Sequence, residues 1–182
     1  MARVNRRAGE AGLLVIDVQR AALEGCADAD ELVERINDLG RRAHAAEAPV
    51  IFVQHEGNGE PERGEPGWQL ADGLERPDGA HVVAKRFRDA FADTELAGLL
   101  RRLRVGRVVV TGVHSDYCVQ MTALSAVVRG FDLTLVADAH AGHPRDPALD
   151  ADRLRDLVNA RIGTLRHPGR TIEVVRAAEV SF

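Results

Sequence analysis

At 182 residues, the chain has the length of one domain and can bury roughly 70% of the surface that its unfolded form exposes. Hydrophobic residues at 45% and charged residues at 29% are ordinary for a globular protein. The 24 basic and 28 acidic side chains leave a formal charge of -4, with the cations scattered and no basic face or tail, which argues against nucleic acid as a partner.

The opening residues, MARVNRRAGEAGLLVIDVQ, begin with cations, but the apolar run that follows ends at Asp17 and no small-residue cleavage site comes after it. Neither a signal peptide nor a membrane span is predicted. Residues 1–10 are expected to be a flexible tail on a single domain covering 1–182. Short continuous apolar runs rich in β-branched residues stand at Gly12–Asp17 and Pro49–Gln54, the pattern of strands buried on both faces. Between them, Leu32, Val33, Ile36, Leu39 and Ala43 recur at helical spacing within Asp28–Glu47. The stretch Glu56–Gly79 is too long for a simple connector and reads as a lid or binding loop; it carries the sole tryptophan, Trp68. Further strands are predicted at Ala80–Ala84, Gly106–Val113, Phe131–Asp138 and Thr171–Arg176. Helices are predicted at Thr94–Arg104 behind an Asp93 cap, at Asp116–Arg129 and at Pro147–Leu165. Alternating strands and helices give an α/β fold, a mainly parallel sheet covered by helices on both faces.

Ligands of such sheets bind outside the carboxyl ends of the strands, where strand order reverses. Three reactive side chains follow apolar runs there: Asp17, Lys85 and Cys118, the last in the turn after the fourth strand. Lys85 is the single lysine of the chain, every other cation being arginine. A compact ammonium differs from a planar guanidinium, which gives a physical reason for lysine at that one place. With Ser115 or Asp116 as helix cap, Cys118 falls in the first turn, where unpaired N–H groups and the helix dipole favour the thiolate and can hold an oxyanion. Asp17 can take the thiol proton and return it to a leaving amine. Taken singly, Asp17 reads equally as a cap, Cys118 as a small buried apolar residue and Lys85 as a surface lysine; their combination at strand ends points to catalysis.

The stretches LLVIDVQ, VVAKRFRDAF followed by DTEL, and VVVTGVHSDYCVQMTALSAVVRGFDLTLVADAH resemble the isochorismatase-like cysteine hydrolase superfamily, which includes nicotinamidases, N-carbamoylsarcosine amidases and isochorismatases. The resemblance runs from Leu13 to about Asn159. It implies a three-layer α-β-α, Rossmann-like fold with a six-stranded, mainly parallel sheet, and a catalytic Asp, Lys and Cys matching Asp17, Lys85 and Cys118. It further implies a cis peptide between Val113 and His114, with the N–H groups of His114 and Cys118 forming the oxyanion hole. Nicotinamidases of this superfamily carry a metal-binding Asp, His and second His after the second strand. Here VQHEGNGEPERG keeps His55 without the others, so no catalytic metal and no cofactor are expected. Isochorismatases cleave a vinyl ether and lack the cysteine nucleophile, so Cys118 points to a carbonyl and to hydrolysis of an amide or N-carbamoyl C–N bond. A homodimer or homotetramer is also implied.

Gln19, Trp68, Phe87 and Tyr117 are expected around a small-molecule substrate, each with core packing or loop anchoring as the plainer reading. His140, ending the fifth strand, is a candidate for orienting a neighbouring group. Cys26 and Cys118 are too few for a disulfide framework, so the cytoplasm is expected. The competing readings are vinyl ether hydrolysis with Asp17 as acid, a thiol-bearing binding or scaffold protein without turnover, and a dinucleotide-binding oxidoreductase, for which TGVHSD supplies no glycine fingerprint.

Overall fold

The computed structural model describes residues 10–26, 28–142 and 150–182. Six strands, β1 (Glu10–Ile16), β2 (Val50–His55), β3 (His81–Lys85), β4 (Val105–Val113), β5 (Asp132–Ala141) and β6 (Ile172–Val175), are joined by helices α1 (Arg20–Leu23), α2 (Ala29–Ala45), α3 (Leu96–Arg102), α4 (Gln120–Val128) and α5 (Ala151–Thr164), except that β2 passes to β3 through a loop with a 3-10 turn at Pro66–Trp68. All ladders among these strands are parallel, so the mainly parallel sheet expected from the sequence is wholly so here. The order β3-β2-β1-β4-β5-β6 reverses between β1 and β4, and the crevice above that junction is where such folds place a ligand.

The apolar runs form strands because both of their faces are covered. Leu14 and Ile16 of β1 pack with Leu96, Leu99 and Leu100 of α3, Ala123 and Ala126 of α4, and Val158 of α5. Leu13 and Val15, pointing the other way, pack with Leu32, Val33, Ile36 and Leu39 of α2. The period of two in β1 thus meets apolar helix faces on both sides, and each fully buried Leu or Ile contributes roughly 1.5–3 kcal/mol. Among the described residues no helix is long and apolar enough to cross a membrane.

Several sequence expectations are corrected. β1 begins at Glu10, inside the stretch expected as a tail, whose other residues lie outside those described. Asp93 has φ of 54°, left-handed rather than the extended backbone of a cap, and α3 starts later, behind Glu95, whose side chain makes no capping bond. The helix expected over Asp116–Arg129 is divided: a π-helical turn spans Ser115–Val119, α4 proper starts at Gln120, and neither Ser115 nor Asp116 caps it. α5 begins behind Asp150, which accepts from the N–H groups of Asp152 and Arg153; the expected start at Pro147 lies outside the described residues.

Gly112 fixes the junction where β1 and β4 part. It has φ of 117°, and a Cβ built on it would stand 2.0 Å from the carbonyl oxygen of Ile16, its register partner on β1. A side chain there would collide with backbone that has nowhere to move, so the two strands approach at this level only over a glycine. Asp17 and the turn bearing Cys118 diverge immediately beyond it.

Candidate active site

Asp17 follows β1 with φ of 54°, a left-handed turn that aspartate tolerates better than most residues. Its N–H donates to the Val53 carbonyl at 2.8 Å, and the residue is 4% exposed. Lys85 ends β3 in register with His55 at the end of β2 and is 1% exposed. A buried ammonium needs partners, and Nζ lies 2.7 Å from Asp17 Oδ2, 2.9 Å from His55 Nδ1, 3.1 Å from the Phe87 carbonyl oxygen and 3.3 Å from Cys118 Sγ. One cation therefore joins the carboxylate after β1, the imidazole after β2 and the thiol after β4. Because Nζ donates, Nδ1 of His55 accepts and the ring proton sits on Nε2, a buried atom with no hydrogen-bond partner. Burial first, then Lys85, lowers the pKa of His55, which keeps the ring neutral.

Cys118 corrects the expectation of a helix-stabilised thiolate. It lies inside the π-helical turn and is 6% exposed. Burial pushes its thiol up to about 12, with the charge of Asp17 adding to the rise and Lys85 opposing it. Desolvation and a nearby anion outweigh the ammonium and the dipole of the turn, so the unliganded site holds a thiol. Oδ1 of Asp17 has no hydrogen-bond partner and stands as a free acceptor in the same cluster.

A narrow cavity of about 30 Å³ holds the thiol, with Asp17, Gln19, His55, Glu60 and His114 among its walls. His55 and Glu60 also border a hollow of about 440 Å³ lined by Asn58, Arg86, Phe87 and Arg88. The structure thus brings Asp17, Lys85, Cys118, His114 and Gln19 together and places the other expected residues further out. Gln19 spends its amide on the scaffold: Nε2 donates to the carbonyls of His55 and Trp68, and Oε1 accepts from the His55 N–H. Trp68 is half-buried under the Arg63 guanidinium; its neighbour Gly67, not the indole, lines the cavity. Phe87 is 51% exposed and faces the outer hollow. The Tyr117 ring lies under Arg88, whose Cζ is 3.8 Å from its centroid, and is not part of the cavity wall. The Val113–His114 peptide is cis, and Nε2 of His114 is 2.9 Å from the Ala22 carbonyl oxygen.

Two wall residues escaped sequence reasoning. The sequence offers His55 only as a leftover metal ligand, although it ends an apolar run as Lys85 does and the strand-end rule applies to both. Glu60 carries no local signal, because loop geometry alone brings it to the cavity. Asp17, His55 and Cys118 each present a metal-ligating atom within 4.8 Å of one another. The donor set nonetheless does not fit a metal ion: the Lys85 ammonium, in contact with all three, supplies the positive charge at the place an ion would take.

His140 lies behind the turn, 1% exposed, with Nδ1 2.8 Å from Ser115 Oγ and Nε2 2.9 Å from Asn159 Oδ1. Burial holds its pKa down to about 4 from 6.5, against the hydrogen bond to Asn159. The unfolded chain therefore takes up a proton that the folded one resists. Stability contributed by the neutral ring is full above pH 6.5 and is lost as pH falls towards 4, by about 3 kcal/mol in all. Urea unfolding at pH 7 and pH 4.5 should show a smaller acid loss in His140→Asn than in the unmodified protein; equal losses would refute a buried neutral ring.

The isochorismatase domain family matches residues 11–164. Two streptothricin hydrolases of Streptomyces noursei are 42% and 36% identical to this chain over 180 and 179 residues. Each alignment covers 93% of this chain, and the chain spans 70% of one relative and 64% of the other. A solved isochorismatase from Pseudomonas putida KT2440 superposes with a TM-score of 0.83 at 28% identity, covering 94% of this chain and 90% of that one.

Proposed function

This chain belongs to the isochorismatase family of hydrolases, and from that premise we propose that it cleaves a C–N bond of a small amide or N-carbamoyl substrate through a thioester on Cys118. The observation that carries the reading is the single ammonium of Lys85 in contact with Asp17 Oδ2 and Cys118 Sγ. A thiol raised to about 12 attacks only if its proton leaves as the carbon–sulfur bond forms, and Oδ1 of Asp17 is the free acceptor for it. Lys85 offsets the negative charge building on sulfur. The N–H groups of His114 and Cys118 are the donors assigned to the oxyanion. Asp17 then returns the proton to the departing amine or ammonia, the carbon–nitrogen bond breaks, and water, deprotonated by the same carboxylate, releases the acid and the thiol. The narrow cavity suits the reacting carbonyl, and the adjoining hollow accommodates the rest of the substrate. The names of two relatives add streptothricin to the compounds worth testing.

The test is amine or ammonia release over a panel of small amides, ureido acids, N-carbamoyl amino acids and streptothricin, with acid-quenched protein weighed by mass spectrometry. A turned-over compound should leave its acyl mass on the Cys118 peptide. Turnover of isochorismate with silence across the panel would instead favour vinyl ether hydrolysis, in which Asp17 is the acid and the sulfur is idle. Turnover of neither, with an intact fold, would favour a binding role.

A further inference from the structure

The mechanism leaves a buried polar chain behind the catalytic turn unused. The β4–β5 ladder pairs Val110 with Leu135 and next Gly112 with His140, so one residue on β4 faces four on β5 and Val136–Ala139 form a bulge in this ladder, Val136 staying paired with Val175 of β6. Bulges beside active sites re-aim the side chains that follow them. Side chains pin this one, since its backbone cannot complete the ladder: Nδ2 of Asn159 donates to the Ala137 carbonyl at 3.0 Å, Arg35 donates to the Asp138 carbonyl at 3.3 Å, and the Asp138 carboxylate accepts from the Ala177 N–H at 2.7 Å.

The bond to Ala137 also settles the polarity of the chain. It fixes Nδ2 of Asn159 as a donor to backbone, so Oδ1 faces Nε2 of His140 as an acceptor. Nε2 then holds the ring proton, Nδ1 is bare, and the Ser115 hydroxyl donates to it. Ser115 is the first residue of the turn that carries Cys118, and that turn has no side-chain cap. The hydroxyl bond to His140 therefore ties the start of the turn to the sheet.

We infer that His140, oriented by Asn159, is a positioning residue that sets the rotation of the Ser115–Val119 turn and thereby aims Cys118 Sγ at Lys85 and Asp17. The inference rests on the reading of Cys118 as nucleophile. It is tested without a substrate, by the second-order rate at which iodoacetamide alkylates Cys118, followed by peptide mass spectrometry with Cys26 as internal reference. Ser115→Ala and His140→Leu should each slow alkylation about tenfold while remaining folded by circular dichroism. The double variant should be no slower than His140→Leu alone, because both changes break the same bond. Ser115→Thr, which keeps the hydroxyl, should stay within about threefold of the unmodified rate. Folded single variants that react at the unmodified rate, or losses that multiply in the double, would overturn the proposal. If His140→Leu does not fold, the contrast between Ser115→Ala and Ser115→Thr decides by itself. A Cys118 peptide that carries no acyl mass while a compound of the amide panel is turned over would defeat the nucleophile reading, and this inference with it. Normal alkylation without turnover on the amide panel would leave the positioning role standing.

Discussion

Cys118→Ala is expected to lower turnover of the amide by on the order of 10⁴-fold or more while leaving the melting temperature within a few degrees. Removing a covalent nucleophile takes away the two-step path, and such groups act as units whose loss no neighbour replaces. Cys118→Ser should fare little better. Its hydroxyl ionises far less readily than a thiol, and the carboxylate offered here as base is a weak one. Structure should be spared, because the side chain is small and its raised pKa shows that its ionised form gains little from this site. The same pKa makes a further demand on the unmodified protein. If the resting sulfur is protonated, alkylation of Cys118 keeps accelerating from pH 7 to pH 10 as the thiolate fraction grows, whereas an ionised cysteine would give a rate levelling off below neutrality. Retention of even a tenth of turnover in Cys118→Ala would end the thioester scheme, and a rate flat above pH 7 would end the account of the thiol's resting state.

What was legible in the sequence was whatever depends on short-range pattern. The runs of Val, Ile and Leu became strands because burial on both faces demands continuous apolar sequence. Asp17, Lys85 and Cys118 could be collected on one rim because parallel topology puts all strand carboxyl ends on the same side. What was hidden depends on partners distant in the chain. The thiol's pKa is set by burial under several elements and by a carboxylate about a hundred residues earlier, so a helix-dipole argument made from local sequence misses the larger, opposing effect. The π-helical turn is tied at Ser115 to His140, a contact that no spacing rule signals. Gln19 looked like a substrate contact because it faces the rim, yet its amide is used in holding the loop near Trp68 against β2, a bond that exists only once the loop has folded back. Asp93 has the composition of a cap and the backbone of a tight turn, which its own local sequence does not distinguish.

Lys85→Met should cost both stability and activity, and the two losses should separate in a double variant. The ammonium is 1% exposed and Asp17 4% exposed, with Nζ and Oδ2 2.7 Å apart, so the substitution leaves a carboxylate buried without its counter-charge. Breaking one half of a buried pair costs about 3–5 kcal/mol, which in a domain of this size lowers the melting temperature by roughly 10 °C. Turnover should fall on the order of 10³-fold, because no ammonium then offsets the negative charge that builds on sulfur as the thiol's proton leaves. Lys85→Arg should fail on activity as well, since a planar guanidinium does not present one compact donor head to Asp17 Oδ2, His55 Nδ1 and Cys118 Sγ together. Adding Asp17→Asn to Lys85→Met removes the stranded charge and should recover most of the lost stability, giving a coupling energy of a few kcal/mol between the two sites. Activity should not return, because the amide cannot accept a proton. A double variant no more stable than Lys85→Met would mean that the pair is not electrostatically coupled. Recovery of turnover in that double variant would mean that Asp17 is not the base, and the chemistry assigned to this rim would have to begin from another residue.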